Sequence, residues 1–173
     1  MILDLARLLL FPALIAFAGA SDLFTMTISN RVSILLVAGF FVMAAASGMP
    51  LPAIAAHAGA GLTVLAAAFV CFAMGWVGGG DAKVATATAL WFGFDHLLNY
   101  LVYASLFGGA LTVMLLQFRQ WPLPYVLGSQ PWLQRLHDRD SGIPYGIALA
   151  LGALMIYPET EWMKAVDVTR FIG

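Results

Sequence analysis

Long runs of apolar residues, broken only by short polar stretches, constrain this chain more than any other feature of its sequence. Of its 173 residues, 62% are hydrophobic and 10% are charged, whereas a soluble domain carries about 25% charged residues. The mean hydropathy is +0.90. Most of the surface therefore faces something other than water, which predicts an all-α membrane protein with several spans, folded as a single domain over residues 1–173.

The apolar runs predict six membrane helices, because a span needs about 20 apolar residues and the fourth run is too long for one. We expect that run to break near Phe94-Asp95-His96, which leaves a short fourth helix, with Gly108-Gly109 as the alternative break. The runs cover residues 2–20, 34–48, 53–77, 84–118 and 143–157.

The first run ends in Ala18-Gly19-Ala20, which resembles a signal-peptidase site. The opposite charges of Asp4 and Arg7 leave no positive segment before it. We therefore expect the first helix to be retained.

The basic residues predict how the helices are oriented, since cytoplasmic loops carry an excess of Lys and Arg. The loops after the first, third and fifth helices are predicted to be cytoplasmic, with both termini outside. An even number of crossings separates Asp22 from Asp81, so both lie at one face in either orientation. Five basic residues are predicted on the cytoplasmic side: Arg31, Lys83, Arg119, Arg135 and Arg139. Three are predicted on the other side: Arg7, Lys164 and Arg170.

Two carboxylates at the ends of apolar runs are the candidate catalytic groups. Asp22 follows the first run, and Asp81 stands in Gly78-Gly79-Gly80-Asp81-Ala82-Lys83, between the third and fourth runs. Two carboxylates that share a site do not both ionise cheaply, so one takes a proton from water while the other donates one. The pattern favours an aspartyl protease at a membrane surface, although each acid alone is also compatible with an ordinary polar residue at a helix end.

Four further residues are candidates to support this site. Gly78 and Gly80 let the backbone bend and let a substrate backbone approach. Asn30 is a candidate to orient Asp22 or to bind substrate. Lys83 either favours an ionised carboxylate nearby or, as we expect, extends to the lipid headgroups.

Other polar residues are expected to be structural. Asp95 and His96 are predicted at the opposite face from Asp81. The stretch 117–142 mixes aromatic residues such as Trp121, Tyr125 and Trp132 with arginines, which is typical of a connector in the membrane interface; a role in gating substrate is the alternative. The sixth helix carries a stripe of small residues suited to close helix packing, at Gly142, Gly146, Ala150 and Ala153.

Composition excludes other classes of site. The net charge of −1 argues against binding to nucleic acid. Cys71 is the single cysteine, so no internal disulfide forms, and the residue spacing provides no metal site. No cofactor is expected.

Three blocks of residues, in order along the chain, resemble the type IV prepilin leader peptidases. The first runs from Asp22 to Asn30, the second is the glycine-rich block ending in Asp81-Ala82-Lys83, and the third covers 143–150. Ser29 stands where the family usually has proline, and Met26 where many members have arginine; either change affects substrate preference rather than a catalytic acid.

The resemblance implies a bacterial inner-membrane aspartyl protease without metal or cofactor, with Asp22 and Asp81 as its catalytic pair. Its substrate would be a prepilin, whose short basic leader is cut just after a glycine at the cytoplasmic face, leaving an apolar helix in the bilayer. The size is similar to the short form found with tight-adherence (Flp-type) pili, so the cysteine-rich methyltransferase domain of larger members is not expected.

Two alternatives stay open. A small transporter or channel subunit would use the acids as a proton or cation relay, but would favour acids deep within spans. A presenilin-like enzyme would share the Gly-x-Gly-Asp motif and cut inside membrane helices, but would carry a different late motif from 143–150.

Overall fold

The computed structural model describes residues 1–123 and 128–166. Within these residues the chain forms seven α-helices, a 3-10 turn and no strand, which confirms the all-α prediction. The helices are α1 (Ile2–Thr25), α2 (Asn30–Ala46), α3 (Leu51–Ala73), α4 (Gly79–Phe118), α5 (Pro131–His137), α6 (Gly146–Ile156) and α7 (Glu161–Lys164), with the 3-10 turn Tyr157–Glu159 between the last two.

Three of these helices, α1, α3 and α4, are long and apolar enough to cross a membrane by length and composition. The helix α2 and the segment Gly146–Glu159 are shorter and also apolar. At 40 residues, α4 contains two of the six predicted spans. The described part of the chain is therefore a membrane-type helical bundle.

The long helix α4 breaks at Gly93, one residue before the predicted Phe94-Asp95-His96. Gly93 adopts φ 60° and ψ −173°, a backbone conformation that is essentially restricted to glycine. The chain doubles back there, because Gly78 before α4 and Arg119 after it line the same cavity. Residues 79–92 and 94–118 are called the first arm and the second arm below. The alternative break at Gly108-Gly109 is wrong, since both residues lie within the second arm.

Side chains from two other elements bind the carbonyl groups next to this break. His57 of α3 donates from Nδ1 to the carbonyl oxygen of Leu90 at 2.8 Å. Trp162 of α7 donates from Nε1 to the carbonyl oxygen of Trp91, also at 2.8 Å. A helix end in an apolar interior must satisfy its carbonyl groups in this way, since no water is available there.

The core beside the break is aromatic. The Phe11 ring of α1 stacks on Tyr157 at 4.7 Å between ring centroids and meets Trp91 at 5.1 Å. These contacts join α1, the first arm and the chain after α6, and Phe11 and Trp91 are almost fully buried. The aromatic residues thus fix the half of the bundle that contains the break.

The first helix runs five residues beyond its apolar run and contains Asp22, which was expected in a polar stretch after it. Polar residues continue the helix because their hydroxyl groups bond to its own backbone: Thr25 Oγ1 donates to the Ser21 carbonyl oxygen at 2.7 Å. The helix then ends at Met26, whose backbone is left-handed (φ 54°) and whose N–H donates to the Asp22 carbonyl oxygen. Asp22 is therefore held on the last turn of a helix.

Small residues let α6 approach two neighbours closely. A Cβ atom on Gly19 of α1 would lie 2.7 Å from the Cβ atom of Ala150, so the predicted stripe packs α6 against α1 there. A Cβ atom on Gly152, which is outside the stripe, would lie 2.8 Å from the backbone nitrogen of Ala104 in the second arm. The residue Gly142 has open space around it and takes no part in this packing.

We expect Gly152→Ala to destabilise the bundle by about 1–3 kcal/mol, the usual cost of overpacking a dense core. The added methyl group meets backbone of the second arm, so the two helices must separate. Gly109→Ala is the matched control, because a Cβ atom there meets nothing within 4 Å. Thermal unfolding in detergent should show a lower midpoint for Gly152→Ala alone; equal midpoints would contradict the close packing.

Candidate active site

Asp22 is buried at the end of α1, where it binds the start of α6. Its exposed fraction is 6%. Its Oδ2 atom accepts a hydrogen bond of 2.7 Å from the backbone N–H of Gly146. The first N–H groups of a helix have no partner within that helix, and they bind carboxylates favourably. The third sequence block thus supplies a backbone donor that fixes one candidate catalytic side chain.

Asp81 lies in the first turn of α4, and the glycines before it make room for its side chain. Its Oδ2 atom would be 3.1 Å from a Cβ atom on Gly78, tighter than most contacts to a Cβ atom. Gly78 precedes the first helical residue with an extended backbone (φ −68°, ψ 144°). The Asp81 carboxyl group therefore extends back over the start of the helix, and is only half-buried.

Ile28 lies close to both Gly80, next to Asp81, and Gly146, which binds Asp22. A Cβ atom on Gly80 would be 3.4 Å from the Cβ atom of Ile28, and one on Gly146 would be 2.8 Å from its Cδ1 atom. The structure therefore brings the two predicted catalytic residues together at one end of the bundle, called the aspartate end below.

The two candidate supporting side chains bind each other. Lys83 Nζ donates to Asn30 Oδ1 at 2.8 Å, in an exposed position. This bond joins the start of α2 to the start of the first arm. The ion pairs of the described residues join Met1 and Arg7 to Asp4, and Lys164 to Glu161, so Lys83 does not pair with either aspartate.

A cavity of about 860 Å³ opens beside the aspartate end. Its walls are the turn at residues 75–78 and the segment that precedes α6, including Tyr145. Gly78 lines this cavity and also lies next to the Asp81 carboxyl group, so the cavity adjoins that group. Three of its lining residues are glycines, Gly75, Gly78 and Gly142, and glycine permits another backbone to approach closely.

Arg119 forms one wall of this cavity, and the sequence indicated it only as a charge that orients the helices. Its exposed fraction is 7%. Its Nε atom donates to the Leu136 carbonyl oxygen and its Nη2 atom to the Gly142 carbonyl oxygen, each at 2.8 Å. Arg119 therefore ties the end of the second arm to α5 and to the segment between α5 and α6.

The connector 117–142 lies over the end of α1. Arg135 donates from Nη2 to the carbonyl oxygen of Phe24, and the Trp132 ring meets the Phe24 ring edge-on at 5.3 Å between centroids. Tyr125, which contributed to the prediction of an interface segment, lies outside the described residues. The described part of the connector thus covers the helix end that holds Asp22.

Two buried hydroxyl groups within α4, on Thr88 of the first arm and Tyr100 of the second arm, were not singled out by the sequence. Tyr100 and Thr88 are fully buried, and neither hydroxyl makes a hydrogen bond of ordinary geometry within the described residues. No local pattern marks them, because tyrosine and threonine are common in apolar helices.

Asp95 and His96 lie away from this site. They line a pocket of about 280 Å³ near the break at Gly93, together with Arg7 and His57. The residues Met1 and Arg7 bind Asp4 at the start of α1, so this pocket belongs to the end opposite the aspartates. Among residues 1–123 and 128–166, no three His, Cys, Asp or Glu side chains form a group suited to a metal ion.

Comparison with known proteins identifies the family. The model of the type IV leader peptidase family matches residues 9–113, which include both aspartates and more than half of the chain. The chain matched no curated protein. It also matched no solved structure. With its apolar helices and this match, the chain belongs to the type IV leader peptidase family, and is a membrane-embedded protease whose substrates are prepilins.

Proposed function

We propose that this protein is an aspartic endopeptidase of the bacterial inner membrane that removes the leader of Flp-type prepilins. The observation that carries the proposal is that Gly80, next to Asp81, and Gly146, whose N–H fixes Asp22, both lie against Ile28. In this proposal residues 1–173 act as one peptidase domain, since α1, the first arm and α6 share one core.

In the proposed mechanism, a water molecule between the two aspartates attacks the carbonyl carbon of the scissile peptide bond. The ionised carboxylate takes a proton from this water, and the protonated one donates its proton to the oxyanion or the leaving amine. The geometry assigns neither role to a particular aspartate. Holding both groups in place avoids the entropy cost of bringing them to the substrate.

The charge distribution supports a cytoplasmic active site. Arg31 and Lys83 begin helices at the aspartate end, and Arg119 and Arg135 bind backbone there. At the opposite end, Arg7 donates to the Ala165 carbonyl oxygen, next to Lys164; Arg170 lies outside the described residues. The excess of basic residues at the aspartate end is what the positive-inside rule requires of a cytoplasmic face.

The proposed substrate has a short basic leader and an apolar helix. The scissile bond then lies at the membrane surface, at the depth of Asp22 and Asp81. The resemblance to the short form found with tight-adherence pili makes a Flp-type prepilin the first substrate to test.

We expect the purified protein in liposomes to shorten a Flp-type prepilin by its leader, with the cut directly after a glycine. Mass spectrometry of both products gives the bond that is cut. Vesicles of known orientation, with the prepilin leader exposed on one side only, give the side at which cleavage occurs. No cleavage of any prepilin, or cleavage within the apolar helix, would contradict the proposal.

A further inference from the structure

Two consecutive helices, α2 and α3, meet beside the break at Gly93, where the Phe40 and His57 rings lie 5.3 Å apart between centroids, but they separate toward the aspartate end. Both pack on α4, whereas their own backbones stay apart over most of their length. Neighbouring packed helices lie about 8–10 Å apart and interlock their side chains. The separation of α2 from α3 leaves a groove of about 540 Å³, which has the first arm as its floor.

One continuous face of α2 forms a wall of this groove. Asn30, Ser33, Ile34, Val37 and Ala38 line it, at the spacing of residues that share one side of a helix. Leu65 of α3 lies opposite, and Ile34 and Leu65 are 64% and 43% exposed. An apolar helix face that continues for two turns without a partner suits a second apolar helix.

The groove ends at the candidate active site. Its polar end is the bonded pair Asn30 and Lys83, and Lys83 follows Asp81 by two residues. Thr86 on the floor donates its hydroxyl to the Ala82 carbonyl oxygen, so it presents no unpaired donor to an apolar occupant. The groove is thus polar where it meets the aspartate end and apolar farther into the bundle.

We infer that this groove binds the apolar segment of the prepilin that follows the scissile bond. A peptide at this depth must be helical, because the bilayer offers no other partner for its backbone groups. A helix seated between α2 and α3 has its end at Asn30 and Lys83, which presents the bond before it to Asp22 and Asp81. This inference rests on the proposed function for the position of the cut.

Cross-linking tests the groove without cleavage. Ala38→Cys is combined with Cys71→Ser, which removes the native thiol, and is paired with a prepilin that carries a cysteine in its apolar segment. Ala110→Cys is the matched control, since Ala110 is also exposed but lies on the second arm outside the groove. We expect an oxidised adduct from position 38 and none from position 110, in both wild-type and Asp81→Asn backgrounds. Equal adducts, or none at 38, would overturn the inference.

Cleavage kinetics give an independent test. Ala38→Trp fills the groove, so the apparent KM for prepilin should rise about tenfold or more, the effect of roughly 1.4 kcal/mol of lost binding, while kcat changes little. Ala110→Trp should leave both unchanged. If Ala38→Trp has no effect, the groove is occupied by lipid rather than substrate. Because Asp→Asn changes lower kcat and leave cross-linking intact, failure of the two-aspartate chemistry is distinguishable from failure of the groove.

Discussion

Asp22→Asn and Asp81→Asn are each expected to reduce prepilin cleavage by roughly 10²–10⁴-fold, the range supplied by a positioned acid or base. Asparagine has nearly the same shape as aspartate but neither accepts a proton from water nor donates one as an acid. The loss should fall on kcat, because neither change removes the groove or the cavity.

Insertion and folding are the necessary controls for this pair. Asp22 accepts the Gly146 N–H through Oδ2, and the amide oxygen of asparagine still accepts it, so both variants should insert and unfold at a midpoint close to that of the wild type. Asp95→Asn is the matched control, since Asp95 lies near the break at Gly93 and its variant should cleave normally. A variant at position 22 or 81 that still cleaves at the wild-type rate would show that this aspartate is structural.

Gly146→Ala is expected to reduce cleavage by about 10²-fold, the usual effect of displacing a reacting group by about 1 Å. A Cβ atom at this position would lie 2.8 Å from Asp22 Oδ2 and 2.8 Å from Ile28 Cδ1. Both neighbours belong to the candidate site, and Asp22 is held there by the Gly146 N–H itself. The methyl group therefore moves the Asp22 carboxyl group and the Ile28 side chain.

Gly142→Ala provides the comparison for this prediction. It adds the same methyl group to the same predicted stripe, but a Cβ atom on Gly142 meets nothing within 4 Å. We expect Gly142→Ala to cleave at the wild-type rate. Insertion of both variants in membranes is measured as a control, and both should insert. Equal rates for Gly146→Ala and the wild type would show that Asp22 does not need its present position.

The sequence predicted the helices well, because burial in lipid imposes a length and a composition that are visible in one stretch of chain. The break in α4 was also predictable, since the fourth run exceeded one span and contained polar residues at its middle. The end of α1 was misplaced because Ser21 and Thr25 look like loop residues, although Thr25 bonds to the helix backbone. A hydropathy scale counts the polarity of a hydroxyl group, but it does not show that the group is hydrogen-bonded to its own helix.

The candidate site was predictable only in part. Asp22 and Asp81 were found from their positions beside apolar runs. The Gly146 donor is 124 positions from Asp22 along the chain, and no local pattern predicts such a contact. Ile28 and Arg119 were missed for the same reason: their importance comes from the glycines and carbonyl groups that surround them, which only the packed bundle brings together.

The most direct test of the central claim is the residual cleavage rate of the Asp22→Asn/Asp81→Asn double variant, measured beside both single variants. Excess enzyme and mass-spectrometric detection resolve these slow rates above the enzyme-free background. Two groups that act on one water molecule lose their function together, so we predict that the double variant cleaves no more than about twofold more slowly than the slower single variant. If instead the two single losses multiply, Asp22 and Asp81 act independently, and the two-aspartate site is wrong.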